Sequence, residues 1–296
     1  MTDQQSIPVA EEPVREPQNK TAEKSGRAGR NLPAAIAVGV ALGASLIAVL
    51  IFVPKVWVAV VAVAMAVATH EVVRRLRESG FSIPVIPLLV GGQAMIWLTW
   101  PFGTTGALGA FGGTVVVCMI WRLVSGGLST APQNYLRDMA TTVFLAAWVP
   151  LFGSFGALLI YPEDGAGRVF CLMLGVVASD VGGYTAGVLF GKHPMAPAIS
   201  PKKSWEGLGG SLVLGIVVSS LAVSFLTDNP WWVGVPLGVM LVITGTLGDL
   251  VESQVKRDLG IKDMGTLLPG HGGLMDRLDS VLPSAVATWI VLTLLA

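Results

Sequence analysis

The sequence predicts an all-α fold: a polytopic integral membrane protein of about nine transmembrane helices with a cytoplasmic N-terminus. Three observations lead there. Of 296 residues, 53% are hydrophobic and only 13% are charged, against roughly 25% charged in an ordinary soluble domain. The apolar residues fall in blocks of about 20, the length a helix needs to cross a bilayer, with short polar stretches between them. The basic residues sort to alternate connections, as they do when Lys and Arg gather on the cytoplasmic side.

Residues 1–31 are rich in Pro, Glu, Gln, Lys and Arg and nearly free of large apolar side chains. Such a segment cannot bury enough surface to offset its ordering entropy, so a disordered cytoplasmic tail is expected. Nine spans follow, at about 32–54, 56–73, 84–100, 104–121, 138–160, 168–190, 207–227, 231–250 and 281–296. The first, about 23 residues or ~35 Å of helix, is too long for the core of a cleavable signal peptide. Pro54-Lys55 leaves the first two spans a second option, a helical hairpin that does not fully cross. The third and fourth are short.

With the N-terminus inside, every Lys and Arg of the chain except Lys55 and Arg168 falls on the inner side. The C-terminus is then outside and the number of spans odd. The organisation is a tail over 1–31, a set of transmembrane helices over 32–165, and a catalytic transmembrane region with cytoplasmic loops over 166–296. It is a multi-pass protein of the cell membrane. The 19 basic residues balance 19 acidic ones, so no global field argues for a nucleic-acid partner. Cys118 and Cys171 sit inside apolar blocks, where they form neither a disulfide framework nor a zinc site.

The chemistry concentrates in residues 178–280. Asp180 lies within the sixth apolar block, where a carboxylate costs several kcal/mol unless it is paired, hydrated or metal-bound; the bland alternative is a cap on a helix broken at Gly182-Gly183. The loop Ser200-Pro201-Lys202-Lys203-Ser204-Trp205-Glu206-Gly207 offers two ammonium groups as point charges for phosphates. By itself it is also an ordinary positive-inside loop, with Trp205 as an interfacial anchor. The end of the eighth span sets Asp249, Glu252, Ser253, Lys256 and Arg257 at i, i+3, i+4, i+7 and i+8, one face of a helix. There a carboxylate can hold a divalent cation while the basic groups meet phosphates. Downstream, Lys262-Asp263 precedes the glycine-rich turn Pro269-Gly270-His271-Gly272-Gly273 and the acids of Asp276-Arg277-Leu278-Asp279. Hard oxygen donors with few histidines and no cysteine argue for Mg²⁺ bound with phosphates. Beside lipid, that chemistry is phosphoryl or nucleotidyl transfer to a lipid phosphate. No Walker-type phosphate loop is present.

The run Ser253-x-x-Lys256-Arg257-x-x-x-x-Lys262-Asp263-x-Gly265-x-x-Leu268-Pro269-x-His271-Gly272-Gly273-x-x-Asp276-Arg277-x-Asp279 resembles, position for position, the signature of the phosphatidate cytidylyltransferases, or CDP-diacylglycerol synthases. Ser200-Pro201-Lys202-Lys203-Ser204-x-Glu206-Gly207 and Asp180-x-x-x-Tyr184-x-x-Gly187 are similar to further elements of that family, with Ser204 where Thr is expected. The resemblance covers about 170–280. It implies a membrane enzyme that joins CTP and phosphatidate from the inner leaflet to give CDP-diacylglycerol and pyrophosphate. It also implies Mg²⁺, a second cation such as K⁺, a homodimer, and Asp249 and Asp276 as the metal-holding acids.

On that reading a phosphate oxygen of phosphatidate attacks the α-phosphorus of CTP. Lys202, Lys203, Lys256, Arg257, Lys262 and Arg277 hold the triphosphate and the lipid phosphate; Glu206, Asp263 and Asp279 orient them. Asp180 and Ser200 belong to the same substrate site. A phosphomonoester whose second pKa is about 6 needs no general base, which leaves His271 as a hydrogen-bond donor or turn element. Two alternatives stay open from sequence: a CTP-dependent kinase of a polyprenol-type lipid alcohol, and an ion-coupled transporter in which Asp180 lines the ion path, although no internal repeat supports the latter.

Overall fold

The computed structural model describes residues 43–129, 131–267 and 272–295. The predicted tail, the start of the first predicted span and His271 lie outside the described residues. The described chain is helical apart from one small hairpin. Its helices are α1 (Gly43–Phe52), α2 (Trp57–Glu78), α3 (Val85–Trp97), α4 (Thr99–Val124), α5 (Tyr135–Ala146), α6 (Phe152–Leu158), α7 (Gly165–Phe190), α8 (Trp205–Leu226), α9 (Gly234–Asp258), α10 (Met275–Leu278) and α11 (Val281–Leu294). Strands β1 (Pro194–Ala196) and β2 (Ser200–Ser204) form the antiparallel hairpin between α7 and α8.

Among the described residues, seven helical stretches are long and apolar enough to cross a membrane. They correspond to seven of the predicted spans. The exceptions are the first, described only as α1, and the third. At 13 residues, α3 reaches about 20 Å at ~1.5 Å per residue, short of a ~30 Å hydrocarbon core. The apolar block continues past Trp97, but the helix does not. Thr99 Oγ donates to the carbonyl of Ile96 at 2.5 Å, and the chain breaks again at Gly103, whose φ of 56° and ψ of −139° are non-helical. Pro150 sits in a five-residue π-turn, Ala147–Leu151, that joins α5 to α6 as one span.

The core runs through α2, α3, α5, α7, α9 and α11, with Leu88, Met95, Leu145, Leu172, Leu237 and Leu292 fully buried. Among the described residues, the most extensive helix pairing, α7 against α8, is built on small residues, the means by which membrane helices approach closely. A Cβ on Gly182 would stand 2.5 Å from the carbonyl oxygen of Gly210, and one on Gly183 2.5 Å from Ser211 Oγ. Helix α9 packs on α8 and α11 on α9, which brings the cytoplasm-predicted ends of all four together with the hairpin.

Candidate active site

Between the ends of α7, α8 and α9 lies a cavity of about 240 Å³. Asp180 from α7, Lys202 and Lys203 from β2, and Asp249 from α9 line it together, with Ser211 and Thr246 on its floor. Ser211 Oγ donates to the carbonyl of Ser179 at 2.7 Å, fixing that floor without using a cavity-facing charge. Tyr184, 76% exposed, stands at the same opening.

The hairpin reaches the cavity because both its ends are tied. Pro201 is tolerated in a two-stranded ribbon, where one edge needs no ladder N–H. Ser204 caps α8 by accepting from Gly207 N at 3.1 Å. Glu206 turns back on the hairpin: Oε2 accepts from Lys192 N at 3.1 Å and His193 N at 3.2 Å, and Oε1 pairs with His193 Nδ1 at 2.6 Å. It does not line the cavity. On the other side Arg257 donates to the carbonyl of Ile199, through Nε at 2.7 Å and also through Nη2. Arg257 thus clamps the hairpin to α9 from the helix face it was predicted to share. Ser200, paired with Ala196, is a ribbon residue beside that clamp. Lys203 closes the assembly with an ion pair to Asp249.

Below Asp249, the predicted face of α9 is realised as an acidic cluster. Oxygens of Asp249, Glu252 and Asp279 lie within 4.8 Å of one another. Glu252 is fully buried, and its Oε1 has no hydrogen-bond partner among the described residues. Its Oε2 meets the Lys256 ammonium, which also lies 3.0 Å from Asp276 Oδ1. Lys256 therefore links the three-acid cluster to Asp276. Ser253 Oγ donates to Asp249 Oδ1 at 3.4 Å.

These groups fit a divalent metal. Buried carboxylates without countercharge are costly, and here Glu252 and Asp279 are buried beside Asp249 and Asp276, with Lys203 paired to Asp249 and Lys256 to Glu252 and Asp276. An unpartnered buried oxygen and an all-oxygen donor set suit Mg²⁺. Asp276 differs in its surroundings from the other three. Its oxygens accept from Met264 N at 3.0 Å and Gly273 N at 2.8 Å as well as from Lys256, so it also organises the loop that precedes it.

Lys262 and Asp263 are exposed on that loop. Gly272 takes the left-handed φ of 84° that favours glycine, and a Cβ there would lie 3.1 Å from Asp276 Oδ2 and 3.6 Å from Asp263 Oδ1. Arg277 is exposed one residue beyond Asp276. The N-terminal half is less plain than its sequence suggests. Asp138 is buried between Arg122 at 2.9 Å and Arg137 at 3.0 Å, stapling α4 to α5. Glu71 of α2 accepts from Met275 N at 2.9 Å, next to Asp276. The signal that could have found both is the one that singled out Asp180, an acid at or inside an apolar block.

Residues 33–295 match the profile of the cytidylyltransferase family. A protein of Mycobacterium bovis named phosphatidate cytidylyltransferase is 66% identical over 97% of this chain and 96% of its own length. A Mycobacterium leprae protein of the same name is 64% identical over 95% of this chain and 94% of its own. A Helicobacter pylori protein, again so named, is 36% identical over 60% of this chain and 65% of its own. None of these three names is that of a kinase or a transporter.

Proposed function

The chain belongs to the cytidylyltransferase family, and from that membership we propose that it joins CTP and phosphatidate to give CDP-diacylglycerol and pyrophosphate. One observation carries the reading: the lysines of the hairpin and the acids Asp180 and Asp249 line a single cavity between helices long and apolar enough to cross a membrane. Cationic groups for phosphates and oxygen ligands for a metal then meet at a point that a lipid headgroup can reach sideways.

A phosphate oxygen of phosphatidate attacks the α-phosphorus of CTP in line, the α–β phosphoanhydride bond breaks, and pyrophosphate leaves. The attacking phosphate is already anionic near neutrality, with a second pKa of about 6, so no side chain has to take its proton. Lys202 and Lys203 bind the triphosphate in the cavity, and Lys262 and Arg277 meet the phosphates from the loop side. Glu206 and Arg257 act by holding the hairpin that carries the two lysines. Asp249, Glu252, Asp276 and Asp279 are the candidate ligands of a divalent cation, Mg²⁺ by their chemistry, and of a monovalent companion such as K⁺. When bound, the divalent ion supplies charge neutralisation at the α-phosphate and the departing pyrophosphate.

The same reading includes an N-terminus on the inside, a location in the cell membrane, and a homodimer. The sorting of Lys and Arg supports the orientation, which sets the cavity on the side where CTP is available. Purified full-length protein in detergent, given phosphatidate, CTP and Mg²⁺, should release pyrophosphate only when both substrates are present. Release that ignores phosphatidate, or none with both substrates, would overturn the reading.

A further inference from the structure

We propose that Glu71 of α2 is a positioning residue for this site, pinning Gly265, Gly273 and Met275 and thereby setting where Asp276 stands. The inference rests on the reading of Asp276 as a site residue. Glu71 is only 9% exposed, and its Oε2 accepts from Met275 N at 2.9 Å. A Cβ on Gly273 would stand 2.7 Å from the same Oε2 and 2.6 Å from Gly265 N, and one on Gly265 would strike Glu71 Oε1. The carboxylate and the two glycines therefore stack with no room to spare. One turn further along α2, Arg75 Nε donates to the carbonyl of Met264 at 2.9 Å.

Helix α2 thus holds Met264 through Arg75 and Met275 through Glu71. These are the stretches whose amides serve Asp276, from Met264 N and Gly273 N. A buried carboxylate is an expensive way to fix a packing position, since an apolar side chain fills the same space without the desolvation cost. What the carboxylate adds is a directional acceptor beside Asp276. A small displacement there matters, because a shift of about 1 Å at a reacting site can cost on the order of 100-fold in rate.

The test is hydrogen–deuterium exchange on the full-length protein in detergent, paired with CTP kinetics. Glu71→Ala should raise exchange about tenfold or more over residues 264–276, the loss of one hydrogen bond to a charged group, while α7 and α9 keep their protection. It should lower kcat about tenfold or more and raise the Mg²⁺ concentration needed for half-maximal rate. Glu71→Gln, which keeps an acceptor oxygen, should restore most of both. Unchanged exchange over 264–276, or an equal rise across α7 and α9, would overturn the proposal. If Glu71→Ala does not fold, Glu71→Asp decides it: the charge stays but the carboxylate is withdrawn, and wild-type protection over 264–276 would overturn the proposal. Exchange is read without turnover, so a wild-type protein inactive on phosphatidate would sink the functional reading and leave this one to be judged separately.

Discussion

Lys203, on a two-stranded hairpin, and Asp249, near the end of a membrane-spanning helix, form an ion pair that closes one wall of the cavity. On the proposed function the pair joins a cation for phosphates to an acid for the metal, so each side chain sets the other's position. Lys203→Ala should raise the KM for CTP about tenfold, the worth of one charge-assisted contact, with a smaller fall in kcat. Asp249→Asn should abolish turnover while the protein still inserts and elutes as a folded species. Steady-state kinetics with CTP varied would check both, and substantial activity in Asp249→Asn would remove that residue from the metal site.

Asp276 accepts three backbone N–H groups, those of Met264, Gly265 and Gly273, and the Lys256 ammonium, a set an amide cannot satisfy because its NH₂ donates. Asp276→Asn should likewise abolish turnover, and it should also loosen 264–275. Limited proteolysis of the folded variant, set against its activity, would expose the second effect.

Glu252 is the buried centre of the ion network. Glu252→Ala leaves the Lys256 ammonium paired with Asp276, so the loss is that of one hydrogen bond to a charged group, about 2 kcal/mol. Thermal unfolding in detergent should show the loss directly. Glu252→Gln should unfold later than the alanine variant yet still demand more Mg²⁺ for activity.

Glu206 matters through the hairpin. Glu206→Ala removes acceptors from Lys192 N, His193 N and His193 Nδ1, so the hairpin that presents Lys202 and Lys203 should move more freely. The KM for CTP should rise about tenfold with stability little changed, as the site is at the surface and each bond is worth ~1 kcal/mol.

A chelator should stop the reaction and Mg²⁺ should restore it, since the four carboxylates are the groups that need a cation. Activity that persists through exhaustive EDTA treatment would contradict the metal assignment.

The face of α9 was legible because i, i+3 and i+7 spacing fixes which side chains share a side, and Asp249, Glu252 and Lys256 do share it. Asp180 and the hairpin lysines were legible as chemically costly residues, and they line one cavity. The approach of Asp279 to Asp249 and Glu252 was not, because Asp279 lies 30 residues along the chain from Asp249 and its place depends on how α11, which it precedes, packs on α9. Arg257 was assigned to the phosphate face by spacing, whereas the carbonyl of Ile199 sits within its reach. Hydropathy marked the block at 84–100 as a span, but a hydroxyl bond at Thr99 and the turn at Gly103 end the helix early. Glu71 carried the same signal as Asp180, an acid inside an apolar block, but its partner, the backbone N–H of Met275, has no mark in the sequence.

The most direct test is to supply the purified protein with phosphatidate, Mg²⁺ and CTP labelled separately at the α- and γ-phosphates. Cytidylyl transfer predicts α-label in the lipid, none of the γ-label there, and one pyrophosphate released for each lipid labelled. Label entering the lipid from the γ position, or from neither position in a folded preparation, would contradict it.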